Sequence, residues 1–163
     1  MKFRLAVAAV AMVGLVATAF VGAEEGKKKQ DPLKDAKCPL SGKAVNPEKF
    51  VAYKDAKVFF CCANCPKAFA KDPAKHAVKA NHQLVMTKQA KQQKCPLSGG
   101  KLNTETKTKV VGVNVCFCCE KCQGKVAGLK DKEKEQLELV FNDKAFKKAF
   151  KIVKKKKAEK KAA

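Results

Sequence analysis

The sequence predicts a small α+β protein made of two tandem modules, and three observations carry that prediction. A cysteine-bearing block occurs twice, at an offset of 57 residues. Each copy reads as a short β-hairpin and then changes to helical spacing. Nine cysteines serve a chain of 163 residues whose apolar content is thin for one large core. Small domains of that kind need disulfides or metal to hold together.

The N-terminus stands apart from the rest. Met1 to Arg4 form a basic start, Leu5 to Val21 are apolar, and Val21-Gly22-Ala23 offers small residues before Glu24-Glu25. Basic, apolar and small-residue zones in that order predict a secretory signal peptide over residues 1–23. The mature protein is therefore expected to be exported, to a periplasm or beyond the cell. Residues 24–37 read as a polar leader, and residues 154–163, nearly all Lys and Ala, as a basic tail.

Between them lies the duplication. Cys38-Pro39-Leu40-Ser41-Gly42 recurs as Cys95-Pro96-Leu97-Ser98-Gly99, Phe60-Cys61-Cys62 as Phe117-Cys118-Cys119, and Cys65 as Cys122. Over residues 38–65 against 95–122, 12 of 28 positions are identical, Asn46/Asn103 and Glu48/Glu105 among them. The first module is taken as residues 38–90 and the second as 91–153. In the first, Val51 to Phe60 predicts a hairpin turning at Lys54-Asp55-Ala56. Asn64-Cys65-Pro66 starts a helix to about Ala70, because proline is tolerated in the first turn. A further helical stretch follows Asp72-Pro73. In the second, Lys109 to Phe117 turns at Gly112, with Val113, Val115 and Phe117 alternating as in a half-buried strand. Asp131 and Asp143 are candidate helix caps, and Phe146, Ala149, Phe150 and Val153 make a stripe at helical spacing. Thr87 to Lys94 reads as a helix end, a strand or a connector.

The cysteine spacing carries the chemistry. Cys38 sits on a tight turn, Cys61 at the end of a hairpin strand, and Cys65 one helical turn later. A hairpin returns the chain to its starting point, so three thiolates can converge, as in zinc-ribbon and treble-clef sites. The helix N-terminus at Cys65 is expected to favour its thiolate. The candidate metal ligands are Cys38, Cys61 and Cys65 in one module and Cys95, Cys118 and Cys122 in the other. Zinc is the first expectation and copper(I), or another thiophilic metal, the second, since all-sulfur sites suit both. Cys62 and Cys119 are candidates for a fourth ligand, or else buried thiols or disulfide partners. His76 and His82 have no equivalents at the 57-residue offset and are poorer candidates. Cys116 falls where the first module has Phe59 and reads as a small strand residue or a spare thiol. Two other readings stay open. Cys62-Ala63-Asn64-Cys65 and Cys119-Glu120-Lys121-Cys122 have the Cys-x-x-Cys form of redox dithiols, and export favours a disulfide scaffold. Against the redox reading, no βαβ pattern surrounds either motif and a dithiol site has no use for Cys38 or Cys95.

Cys-Pro-x-Ser-Gly, a hairpin, Phe-Cys-x-x-x-Cys, an aromatic and Asp-Pro resemble the YHS/TRASH-type domains, small metal-associated modules with three cysteines at this spacing. The resemblance covers roughly residues 38–75 and 95–127. Phe69 and Asp72-Pro73 match the family pattern in the first module, whereas the second has Val126 for the aromatic and no Asp-Pro. The resemblance implies a role in heavy-metal sensing, trafficking or resistance.

Composition narrows the partners. The formal charge is +21, and Arg4 is the only arginine. Lysine is a diffuse, hydrated charge rather than a planar recognition fork, so anionic surfaces such as polyanions or membranes are the partners it favours. Few aromatics interleave the basic runs, which argues against specific nucleic-acid binding. No carboxylate pair, Ser-His arrangement or Gly-rich phosphate loop suggests an enzyme.

Overall fold

A computed structural model describes residues 32–129 and 131–153. The expected signal peptide, residues 24–31 of the leader and the basic tail lie outside the described residues. The architecture is small α+β, with five helices and three two-stranded antiparallel sheets among the described residues.

Each module opens with its own hairpin. Strands β1 (Asn46–Tyr53) and β2 (Ala56–Phe60) form the first. Val58 and Phe60 face the core while Lys57 faces solvent, the period-two burial expected of a half-buried strand. Both central residues of the turn have positive φ, 51° at Lys54 and 61° at Asp55, which matches the right-handed twist of the flanking strands. Helices α1 (Asn64–Lys71) and α2 (Ala77–Met86) follow. The second helical stretch thus begins at Ala77 rather than directly after Asp72-Pro73. Residues 73–76 form a turn there, with the His76 amide bonded to the Pro73 carbonyl at 3.3 Å. Strand β3 (Ala90–Gln92) then links the modules.

The second module repeats the plan with β4 (Asn103–Val110), β5 (Val113–Phe117) and α3 (Glu120–Ala127). The hairpins share an irregularity, with register shifts between Asn46 and Phe50 and between Asn103 and Lys107. At each one an asparagine side chain accepts from a backbone amide two residues on, Glu48 at 2.8 Å and Glu105 at 2.9 Å. Such Asx turns account for the matched asparagines. Helices α4 (Glu133–Phe141) and α5 (Asp143–Ala149) and strand β6 (Phe150–Ile152) are the last elements of the described residues.

Three local expectations are corrected here. Lys132, not Asp131, stands at the N-cap of α4, without a side-chain capping hydrogen bond. Asn142 caps α5, its Oδ1 accepting from the Ala145 amide at 2.8 Å, while Asp143 lies in the first helical turn. The stripe from Phe146 does not run on as a helix, because Phe150 to Ile152 pair with Ala90 to Gln92. Strand pairing overrides the helical spacing, and Val153 is left exposed.

One buried cluster joins the modules. It includes Phe60, Phe69 and Leu84 from the first, and Phe117, Val126, Val140, Phe141 and Phe150 from the second. Two polar links reinforce the seam. Lys54 Nζ reaches Asp143 at 2.6 Å and Asn81 Oδ1 at 2.9 Å. His82 Nε2 lies 3.0 Å from the Val111 carbonyl, at a turn residue whose φ of 43° is unusual for a β-branched side chain. Burial lowers the affinity of His82 for a proton, so a neutral ring can donate there.

Candidate metal centre

Each site is assembled from a turn, a strand end and a helix start. The Cys38 amide donates to the Lys43 carbonyl at 2.8 Å, and the Gly42 amide to the Cys38 carbonyl at 2.9 Å. The copies in the second module are Cys95 to Gly100 at 2.9 Å and Gly99 to Cys95 at 2.8 Å. Gly42 and Gly99 have φ of 72° and 79°, a conformation that glycine adopts without steric cost. Cys61 and Cys118 come directly after β2 and β5, and Cys65 and Cys122 lie in the first turns of α1 and α3.

The result is two triads. The sulfurs of Cys38, Cys61 and Cys65 all lie within 4.8 Å of one another, as do those of Cys95, Cys118 and Cys122. Cys61 Sγ is 3.7 Å from Cys65 Sγ, and Cys118 Sγ is 3.6 Å from Cys122 Sγ. Tetrahedral zinc with sulfur at about 2.3 Å requires sulfur–sulfur separations of about 3.8 Å. The thiols thus stand at distances that such an ion can bridge.

Ser41 and Ser98 belong to the sites as well. Ser41 Oγ accepts from the Lys43 amide at 3.3 Å and lies 3.1 Å from Cys61 Sγ. Ser98 Oγ accepts from the Gly100 amide at 3.1 Å and lies 3.1 Å from Cys118 Sγ. Each hydroxyl has its own proton free to donate to sulfur. The motif contained these serines, but their role needed the turn to bring residue 41 beside residue 61.

The acid–base balance differs from the sequence expectation. Burial raises the Cys38 thiol, yet hydrogen bonds from the Ser41 side chain and from the Ser41, Cys61 and Leu40 backbones outweigh it, leaving about 7. For Cys95 the same opposition, with Ser98, Cys118 and Leu97 as partners, leaves about 6. Cys65 moves the other way, pushed up by lost hydration and by crowding against Cys62, Cys61 and Cys38. Cys122 is pushed up to about 12 for the same reasons. The thiolate is therefore favoured at the turn cysteine rather than at the helix start. Turn amides converge on Cys38, whereas Cys65 meets other sulfurs.

The remaining candidates stand outside the triads. Cys62 and Cys119 are exposed, with Cys62 Sγ 3.4 Å from Cys65 Sγ and Cys119 Sγ 3.7 Å from Cys118 Sγ. His76 packs near Phe69 at 6.4 Å between ring centroids, and His82 serves the seam. Cys116 is half-buried on β5. An open groove of about 1300 Å³ runs along α2 and the second hairpin, with Lys34, Lys79, Lys88, Lys109, His82 and Glu133 on its walls. Of the six candidate ligands only Cys38 borders it.

In comparisons with known proteins the chain matches no family model, no curated protein and no solved structure.

Proposed function

We propose that this chain is an exported metal-binding protein that holds one thiophilic ion in each of two YHS/TRASH-like, zinc-ribbon or treble-clef-like modules. Zinc is the first candidate and copper(I) the second. The observation that carries the reading is the convergence of two separate cysteine triads, each from the same three local elements. Three soft thiolates select zinc or copper(I) over the hard cations. A site closed by only three protein ligands leaves a coordination position open for exchange, which suits handling or sensing of the ion, and no catalytic role is assigned. The lysine-rich surface is read as attraction to anionic surfaces. A dithiol reading has one observation in its favour, the short Cys62–Cys65 approach of 3.4 Å, but it leaves the buried Cys38 and Cys95 without a role.

The test is elemental analysis with a free-thiol count on protein purified anaerobically from its native compartment. The reading expects two metal equivalents per chain, with the triad thiols shielded from reagent until a chelator is added. Metal-free protein with disulfides in place of the triads would replace it with the redox or scaffold reading.

A further inference from the structure

The most regular feature that the cysteine motif does not explain is a pair of glutamine side chains. Gln83, buried on α2, accepts from the Phe59 amide at 2.7 Å and donates to the carbonyls of Phe59 at 2.8 Å and Lys37 at 2.9 Å. Gln92, on β3, accepts from the Cys116 amide at 2.9 Å and donates to the carbonyls of Cys116 at 2.7 Å and Lys94 at 3.1 Å. Lys37 and Lys94 are related by the 57-residue offset, and so are Phe59 and Cys116. The glutamines themselves are not, because residue 140, at that offset from Gln83, is Val140. Two unrelated positions therefore deliver the same amide to the same place.

The chemistry of a primary amide fits the task. It presents two N–H donors and one carbonyl from a single planar group. One edge of each hairpin strand is already paired, and its free edge needs partners. Each glutamine imitates a passing strand by bonding both groups of one residue, and its remaining N–H reaches across to the turn. The backbone atoms held together are one residue before the first triad cysteine and two residues before the second. One amide thus sets the separation between the turn that carries Cys38 or Cys95 and the strand end that carries Cys61 or Cys118.

We infer that Gln83 and Gln92 are positioning residues for the two metal sites, each holding the turn thiol and the strand-end thiol of its module at chelating distance. The inference rests on the metal-binding reading. Gln89 supplies the internal control. It accepts from the Lys57 amide at 2.8 Å and donates to the Lys57 carbonyl at 2.7 Å, on the same strand edge but with no bond to the turn.

The experiment is cobalt(II) titration of the full chain, followed by thiolate-to-cobalt charge-transfer absorption. A Cys95→Ser background reads the first site alone. There Gln83→Met should weaken cobalt binding by about 10–100-fold, the usual effect of losing a group that orients ligands, and should shift the charge-transfer band. Gln89→Met should leave both unchanged. In a Cys38→Ser background, Gln92→Met should weaken the second site alike, and it carries the test if Gln83→Met does not fold. Equal losses in Gln83→Met and Gln89→Met would reduce Gln83 to hairpin stabilisation, and wild-type affinity in Gln83→Met and Gln92→Met would overturn the inference outright. A wild-type chain that takes up no cobalt(II) would instead overturn the metal reading, and the positioning roles with it.

Discussion

The two modules reach the same triad from different surroundings. In the first, Phe69 of α1 is buried against Tyr53 and Phe60, with ring centroids 5.4 Å apart in both pairs. In the second, Val126 of α3 stands at the equivalent place, and the Gln136 side chain of α4 donates to its carbonyl at 2.9 Å. The helix starts differ too. Ala63 is the N-cap of α1, whereas Cys119 itself is the N-cap of α3, in an extended conformation. Cys62 consequently leans toward Cys65 and Cys119 toward Cys118. The turn, the serine and the amide clamp are common to both. Sulfur placement depends on those shared parts, and the support beneath the helix is exchangeable.

That comparison is sharpened first by stability. Phe69→Ala should cost about 3–5 kcal/mol, as truncation of a buried aromatic does. Val126→Ala removes only two methyl groups and should cost about 2 kcal/mol. Denaturant unfolding of both variants checks the order. Equal costs would mean that the modules lean on their helices alike.

A second difference lies in acid sensitivity. Protons and metal compete for the same sulfurs, so a site releases its ion as pH falls and its thiolates protonate. The turn thiol titrates at about 7 in the first module and about 6 in the second. Protons thus compete for the turn thiol of the first module more strongly than for that of the second, so the first site should empty at the higher pH. Acid titration of the two single-site backgrounds, Cys95→Ser and Cys38→Ser, measures each midpoint. Coincident midpoints would remove the distinction.

The smallest effects concern the exposed neighbours. Cys62→Ser should lower first-site affinity by less than tenfold, roughly the lower limit for a group outside the ligand shell. Cys119→Ser should lower second-site affinity less still, since its sulfur lies farther from its nearest neighbour. Loss of the ion in either variant would make that cysteine a fourth ligand.

Much of each site was legible in the sequence because its parts are local. A Cys-Pro-x-Ser-Gly turn, an alternating hairpin and a helix start each need only a few neighbours, and the repeat showed that they belong together. What escaped depended on distant partners. Nothing near Gln83 or Gln92 marks them, since their bonds go to residues 24 or 46 positions away, apart from the Gln92 bond to Lys94. The strand at Phe150 to Ile152 is likewise imposed by Ala90 to Gln92, against a helical pattern that was locally sound. Cys65 met the same fate, as a helix start favours the thiolate but the other sulfurs around it do not.

The central claim is that each module holds its own ion through its own turn cysteine. Counting metal in Cys38→Ser, Cys95→Ser and the double variant, all purified anaerobically, tests it most directly. The account predicts that each single variant loses about one equivalent and keeps the other module loaded, and that the double variant binds none. Unchanged metal content in Cys38→Ser, together with loss of a disulfide-exchange activity in Cys62→Ser, would contradict it and put the dithiol in its place.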